Sequence, residues 1–222
     1  MGMFRIKICG VTNPVDAAHA AACGADAIGI NFYRGSRRFV PEDSAREIVR
    51  AVTERALVVG VFVNEPPGSI AGICGRLGIA AVQLHGDEPA EEAARLPFWR
   101  LKAVHASHPV DLGALAAYPC DAFLLDAGGP GGYGGTGVEL DWESLPDRFA
   151  GALAHTASPG IGKPWVLAGG LTPENVERAV ALAKPFAVDT ASGVESFPGI
   201  KDPGKVAAFI ERAKKGFQLA GT

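Results

Sequence analysis

The sequence has no long apolar run. A bilayer-spanning helix needs about 20 mostly apolar residues, and no stretch reaches that, so no membrane segment is expected. The first residues carry no basic start, apolar core or small-residue cleavage site, and no secretory leader is expected either. Cysteine is scarce. The four residues Cys9, Cys23, Cys74 and Cys120 form no Cys-x-x-Cys pair and no zinc spacing, which excludes a small disulfide framework. A reducing cytoplasm is the expected setting. No basic run or stripe offers a nucleic-acid surface, and the net charge is only −3. Histidines and carboxylates do not recur at ligand spacing, so no metal is expected. The nucleotide pattern G-x-x-x-x-G-K-[ST] is missing too. Gly134-Gly135-Thr136-Gly137 fits neither it nor G-x-G-x-x-G, and reads as a mobile active-site loop. No linker, low-complexity tract or composition break marks a boundary, so residues 1–222 are expected to form one domain.

What is present is a repeated alternation. Short apolar runs at 4–8, 26–32, 57–63, 79–84, 99–104, 122–126, 165–168 and 186–189 read as strands. Between and after them, residues 14–23, 41–52, 66–77, 88–96, 110–117, 141–149, 173–182 and 203–215 read as helices. Alternation throughout implies a parallel sheet. Eight such units imply an α/β fold closed into one (β/α)₈ barrel, with a doubly wound open sheet as the rival. Residues 150–163 form a loose Gly/Pro/Ser insertion within one loop.

The strand ends carry the reactive residues. In Arg5-Ile6-Lys7-Ile8-Cys9-Gly10-Val11-Thr12 a strand gives way to a helix starting near Asn13-Pro14. Lys7, two residues before Cys9, points to the same side. Taken alone, Cys9 reads first as a small buried apolar residue, and it is the rest of the chain that favours a reactive one. Further along come Asn31-Phe32 leading to Ser36-Arg37-Arg38, then Asn64, His85-Gly86, Lys102, Asp126, Gly169-Gly170 and Asp189. A barrel gathers all of these on one face. His85 is either a satisfied core histidine or a ligand, and Asp126 either a structural partner or a general acid with a raised pKa. Gly169-Gly170 after the seventh strand and Ser192-Gly193 after the eighth are placed to hold a phosphate through backbone N–H groups. The helix start and Lys7 should favour thiolate at Cys9.

Lys7-Ile8-Cys9-Gly10-Val11-Thr12 resembles the signature of the phosphoribosylanthranilate isomerase family of tryptophan biosynthesis. The resemblance continues, in order, through Ser36-Arg37-Arg38-Phe39-Val40, Val59-Gly60-Val61-Phe62-Val63-Asn64, Val82-Gln83-Leu84-His85-Gly86, Leu125-Asp126, Ala168-Gly169-Gly170-Leu171 and Asp189 to Glu195. It implies a cofactor-free (β/α)₈ barrel that performs an Amadori rearrangement on a phosphorylated sugar–anthranilate. It further implies Cys9 as general base, Asp126 as general acid and Arg38 as the anchor of the anthranilate carboxylate. Gln83, His85 and Asp189 would touch substrate, and Gly169, Gly170, Ser192 and Gly193 would bind its phosphate. Neither nucleic acid nor membrane is an expected partner, and a monomer and a homodimer both fit. Three departures stand out: Arg37 where proline is usual, Thr190-Ala191 in place of a pair ending in serine, and the long 150–163 segment.

Other barrels remain rivals. A ribulose-phosphate epimerase would need metal ligands. An indole-glycerol-phosphate synthase would need a lysine network, for which Lys7 and Lys102 are the strand-end candidates. A non-enzymatic binding module would be free to lose Cys9 or Asp126, and both are present.

Overall fold

The first strand, β1 (Ile6–Ile8), is wholly buried and hands over to helix α1 (Pro14–Cys23). Asn13 caps that helix by accepting from the Asp16 N–H, Pro14 supplies the pre-set first turn, and Gly24 ends it in the left-handed region at φ 99°. A computed structural model describes residues 4–52, 54–105, 111–126, 141–148 and 162–221. The glycine-rich stretch 128–137 and nearly all of the 150–163 segment lie outside these residues.

The chain continues as β2 (Ala27–Asn31), α2 (Glu42–Val52), β3 (Leu57–Phe62), α3 (Pro67–Leu77), β4 (Ala81–Leu84) and α4 (Ala90–Ala93). It goes on through β5 (Trp99–His105), α5 (Leu112–Ala117), β6 (Ala122–Asp126), α6 (Leu145–Arg148), β7 (Trp165–Leu167), α7 (Val176–Ala183) and β8 (Ala187–Thr190). A 3₁₀ turn at Ser192–Val194 leads into β9 (Glu195–Phe197), β10 (Ile200–Lys201) and the long helix α8 (Pro203–Ala220). Strands β1 to β8 pair in parallel with their neighbours, and β8 pairs with β1, so the sheet closes into an eight-stranded barrel. The open-sheet rival is excluded. Among the described residues no helix is long and apolar enough to cross a membrane.

Two apolar layers follow from the two faces of each strand. Inward-facing Ala27, Val59, Ala81, Leu101, Ala122, Leu124, Val166 and Ala187 fill the barrel. Small residues alternate with larger ones round the ring, which lets side chains from neighbouring strands interdigitate. Outward-facing residues such as Ile28, Ile30, Val82, Phe123 and Trp165 pack under the helices.

Several expected boundaries move, each for a local reason. Helix α4 runs only over Ala90–Ala93 rather than 88–96; its start is delayed where Glu88 turns inward to accept from Lys102 Nζ at 2.6 Å. Helix α7 starts three residues after Pro173, because Thr172 and Asn175 close a turn, with Thr172 N–H donating to Asn175 Oδ1 at 2.8 Å. Strand β5 runs on to His105. The antiparallel β9–β10 hairpin escapes a sequence reading, since its strands have three and two residues. Its turn at Pro198-Gly199 uses glycine at φ 87°.

Helix α8 begins with Asp202 accepting from the Lys205 N–H at 2.9 Å. Losing such a cap costs roughly 0.5–2 kcal/mol. Asp202→Ala should therefore lower the urea midpoint by that equivalent while leaving the far-UV spectrum of the folded protein unchanged.

Candidate active site

The alternation that fills the barrel also builds the site. Each strand's inward-facing series runs on past the packed layers: Lys7 to Cys9, Gly29 to Asn31, Ala81 to Gln83 and His85, Leu124 to Asp126, Ala187 to Asp189. The series ends in a cavity of about 950 Å³ at the carboxyl ends of the strands. All ten site residues named from the sequence line it: Cys9, Arg38, Gln83, His85, Asp126, Gly169, Gly170, Asp189, Ser192 and Gly193.

Cys9 is held by its N–H, which donates to Thr190 O at 2.8 Å. Its thiol sits against Gly29, where a Cβ would stand 2.7 Å from Sγ and 3.1 Å from Lys7 Nζ. Lys7 is fully buried and donates to Asp189 Oδ1 at 2.9 Å. Burial works against the Lys7 ammonium, but Asp189 and Cys9 outweigh it and hold its pKa above the usual lysine value. Burial pushes the Cys9 thiol up; Lys7 and Lys201 pull it down and Asp189 pushes it up again, and the net shift is upward. The expected preference for thiolate is therefore corrected. Lys7 acts in that direction and is outweighed by desolvation.

Asp126, 6% exposed, ends β6 beside His85, whose Nε2 lies 3.3 Å from its Oδ2. That distance suits an ion pair, and Nε2 is buried with no hydrogen bond among the described residues. Gln83 Nε2 lies 2.6 Å from His85 Nδ1, and Gln83 Oε1 is buried with no hydrogen-bond partner among the described residues. His105 pairs in register with Asp126, and its ring meets that of His85 edge-on at 6.0 Å.

Gly169 and Gly170 adopt φ 79° and 69°, which glycine reaches without strain. Gly193 is required for a different reason: a Cβ there would collide with the Leu171 carbonyl oxygen, so the loops after β7 and β8 touch backbone to side-chain-free backbone. Thr190 Oγ1 donates to Leu171 O at 2.7 Å and locks the same junction. Its hydroxyl is committed there, leaving Ser192 as the hydroxyl of this loop that lines the cavity.

Arg38 is set by a compact loop. Its N–H donates to Ser36 Oγ at 3.1 Å, and Asn31 Nδ2 donates to the same oxygen at 3.2 Å. Arg37 in place of proline thus leaves Arg38 on the cavity wall. Gly10, at φ 66°, gives the stem its path, because a Cβ would meet Arg38 Cδ. The guanidinium is bidentate to Glu195, with Nε to Oε1 and Nη2 to Oε2 both at 2.7 Å.

His105 and Glu195 line the cavity without being singled out in the sequence, and Asn31, named there only as a strand-end residue, lines it too. Lys102 was singled out as a strand-end residue and does not line it. Its ammonium donates to Glu88 and to Gly86 O at 2.5 Å, which removes it from a catalytic lysine network. Among the described residues, no group of three or more His, Cys, Asp or Glu side chains is arranged to hold a metal ion.

The family model for N-(5'-phosphoribosyl)anthranilate (PRA) isomerase matches residues 6–212. An N-(5'-phosphoribosyl)anthranilate isomerase of Pseudomonas aeruginosa is 45% identical over 218 residues, covering 96% of this chain and 97% of that protein. The crystal structure of phosphoribosyl anthranilate isomerase from Thermotoga maritima superposes with a TM-score of 0.81 at 39% identity, covering 96% of this chain and 99% of that one. A second solved phosphoribosyl anthranilate isomerase, in complex with reduced 1-(o-carboxyphenylamino)-1-deoxyribulose 5-phosphate, superposes with a TM-score of 0.78 at 38% identity, with the same coverage. A closed barrel, a cavity lined by the motif residues and matches over nearly the whole length agree, and this chain belongs to the N-(5'-phosphoribosyl)anthranilate isomerase family.

Proposed function

We propose that this chain, acting as one barrel domain in the cytoplasm, isomerises N-(5-phosphoribosyl)anthranilate to 1-(2-carboxyphenylamino)-1-deoxyribulose 5-phosphate in tryptophan biosynthesis. The observation that carries this reading is the meeting of Cys9 and Asp126, from β1 and β6, in one cavity with a glycine-rich anion cradle and an arginine. In the reaction, Asp126 as a carboxylic acid protonates the furanose ring oxygen. The C1–O bond breaks as the anilino nitrogen's electron pair forms a C=N⁺ bond. Cys9, as thiolate, then takes the C2 hydrogen as a proton; the C–H pair becomes the C1=C2 bond of an enolamine while the C=N⁺ π pair returns to nitrogen. Tautomerisation of the enolamine gives the ketone. Backbone N–H groups near Gly169, Gly170, Ser192 and Gly193 hold the phosphate. Arg38 takes the anthranilate carboxylate, for which a planar guanidinium is better matched than an ammonium. His85 and Asp189 border the sugar, and the unpaired end of the Gln83 amide meets one of its hydroxyls.

The acid–base pair is tested by substitution. Cys9→Ala and Asp126→Asn should each lower kcat by about 10²–10⁴ with KM little changed. The measurement is the loss of anthranilate-type fluorescence when freshly made substrate is mixed with enzyme. Near-wild-type turnover in Cys9→Ala would put the base elsewhere.

The upward shift at Cys9 gives a second test. A group needed as thiolate, with its pKa raised, loses activity as pH falls through that raised value. Alkylation of Cys9 by iodoacetamide in a Cys23→Ser background should rise with pH to a midpoint above the ordinary thiol value of about 8.5. Lys7 lowers the Cys9 pKa, so Lys7→Met should move the midpoint further up. Cys74 and Cys120 are internal controls, since burial pushes both thiols up to about 12. A midpoint below about 8.5 in the Cys23→Ser background with Lys7 retained would contradict the shift.

The phosphate cradle gives a third. Gly170→Asp sets a carboxylate where the phosphate is held, and KM should rise by roughly ten-fold or more, as expected for losing one charged hydrogen bond. An unchanged KM would place the phosphate at another loop.

A further inference from the structure

Glu195 lies at the start of β9, and everything around it serves to fix one carboxylate. Oε1 accepts from Arg38 Nε at 2.7 Å, from Lys201 Nζ at 2.9 Å and from the Gly199 N–H at 3.2 Å, while Oε2 accepts from Arg38 Nη2 at 2.7 Å. Its side chain is 6% exposed and that of Lys201 only 2%. Lys201 also donates to Ala191 O at 2.9 Å. The hairpin carrying both residues is itself tied to the start of α1, by Thr12 Oγ1 donating to Gly199 O at 2.6 Å and Lys201 N–H to Asp16 Oδ2 at 2.8 Å.

A guanidinium has two edges that can meet a carboxylate: the side edge, Nε with one terminal nitrogen, and the end edge made of both terminal nitrogens. Glu195 fills the side edge of Arg38. Nη1 has no hydrogen-bond acceptor in the protein among the described residues, and the Arg38 side chain keeps 18% of its surface exposed at the cavity wall. We propose that Glu195 is the positioning residue of the carboxylate subsite. It clamps the side edge of Arg38 so that the end edge stands fixed to receive the anthranilate carboxylate. Lys201 balances the second carboxylate that this arrangement brings close. The inference rests on the reading of Arg38 as the carboxylate anchor.

The test uses the full-length enzyme and two ligands, reduced 1-(o-carboxyphenylamino)-1-deoxyribulose 5-phosphate and its phenylamino counterpart without the carboxylate. Glu195→Gln keeps the shape but turns an amide NH₂ toward one guanidinium N–H, breaking one of the two bonds. It should weaken the carboxylate-bearing ligand roughly ten- to hundred-fold, the scale of a charged hydrogen bond, and leave the other unchanged. KM for substrate should rise in parallel with little loss of kcat. Glu195→Asp, which keeps the charge, should restore part of the affinity. If Glu195→Gln folds poorly, the pair Glu195→Gln with Lys201→Met removes one charge of each sign from the buried cluster and carries the same test. Equal weakening of both ligands, or of neither, would overturn the role of Glu195. Arg38→Ala separates the two readings. If it fails to discriminate between the ligands, the anchor itself is misplaced. If it discriminates and Glu195→Gln does not, only the positioning role fails.

Discussion

A fully buried lysine ammonium must find a partner, and Lys7 finds Asp189 at 2.9 Å, 182 residues away. Leaving either charge alone inside the barrel would cost about 3–5 kcal/mol. The two residues face each other in register across the seam where β8 returns to β1. Closure of the barrel and pairing of this lysine are therefore one event. The same event fixes the field at Cys9, because Lys7 pulls the thiol toward its ionised form and Asp189 pushes it back. The chemistry at the first strand is set by the last.

Period-two alternation explains what was legible in the sequence and what was not. Residues at i and i+2 of a strand share a face, so Lys7 and Cys9 are read together from spacing alone, whereas Gln83 enters only through the family resemblance. Asp126 and Asp189 were legible because each ends an apolar run with a carboxylate. Lys102 shows how the reading fails. It belongs to the same short run as Leu101 and Ala103, but those face the barrel interior and Lys102 does not. Its ammonium stands 5.6 Å from the Tyr118 ring at the end of α5 and pairs with Glu88. Extending β5 to His105 brings the correct inward residue to the cavity. The last boundary of a strand, its least certain feature in a sequence, decided which side chain reaches the site.

Contacts between loops were beyond such a reading. Nothing in the local pattern of Ser192-Gly193-Val194-Glu195 says that Gly193 must lie against Leu171 O, or that Glu195 meets Arg38, 157 residues distant. The eight strands fix where each loop starts, and the loops then complete one another. Thr190 and Gly193 join the β7 and β8 loops, and Asn31 and Ser36 shape the turn that presents Arg38. A Pro-Gly pair between two short polar–apolar alternations was the available signal for the β9–β10 hairpin. With strands of three and two residues, that signal carries little weight against the helix that follows.

The charges around Cys9 bear on the order of the proposed steps. Lys7, Arg38 and Lys201 are cationic, and Asp189 and Glu195 anionic, all held within the ion pairs described. The ionic groups are thus one negative charge short of balance, yet desolvation still keeps the Cys9 proton on. A bound substrate brings a carboxylate and a phosphate into the cavity, and added negative charge makes a thiolate less favourable still. In the proposed reaction, protonation of the ring oxygen by Asp126 would reverse this, because ring opening would create a cationic imine next to the carbon whose hydrogen Cys9 is proposed to remove. Such a cation would favour the thiolate in the same direction as Lys7, in a buried site where low dielectric strengthens the effect. A thiol with a raised pKa is also the stronger base once ionised. Burial at Cys9 therefore suits a sequence in which the acid acts first, and the base forms where and when its positive partner appears.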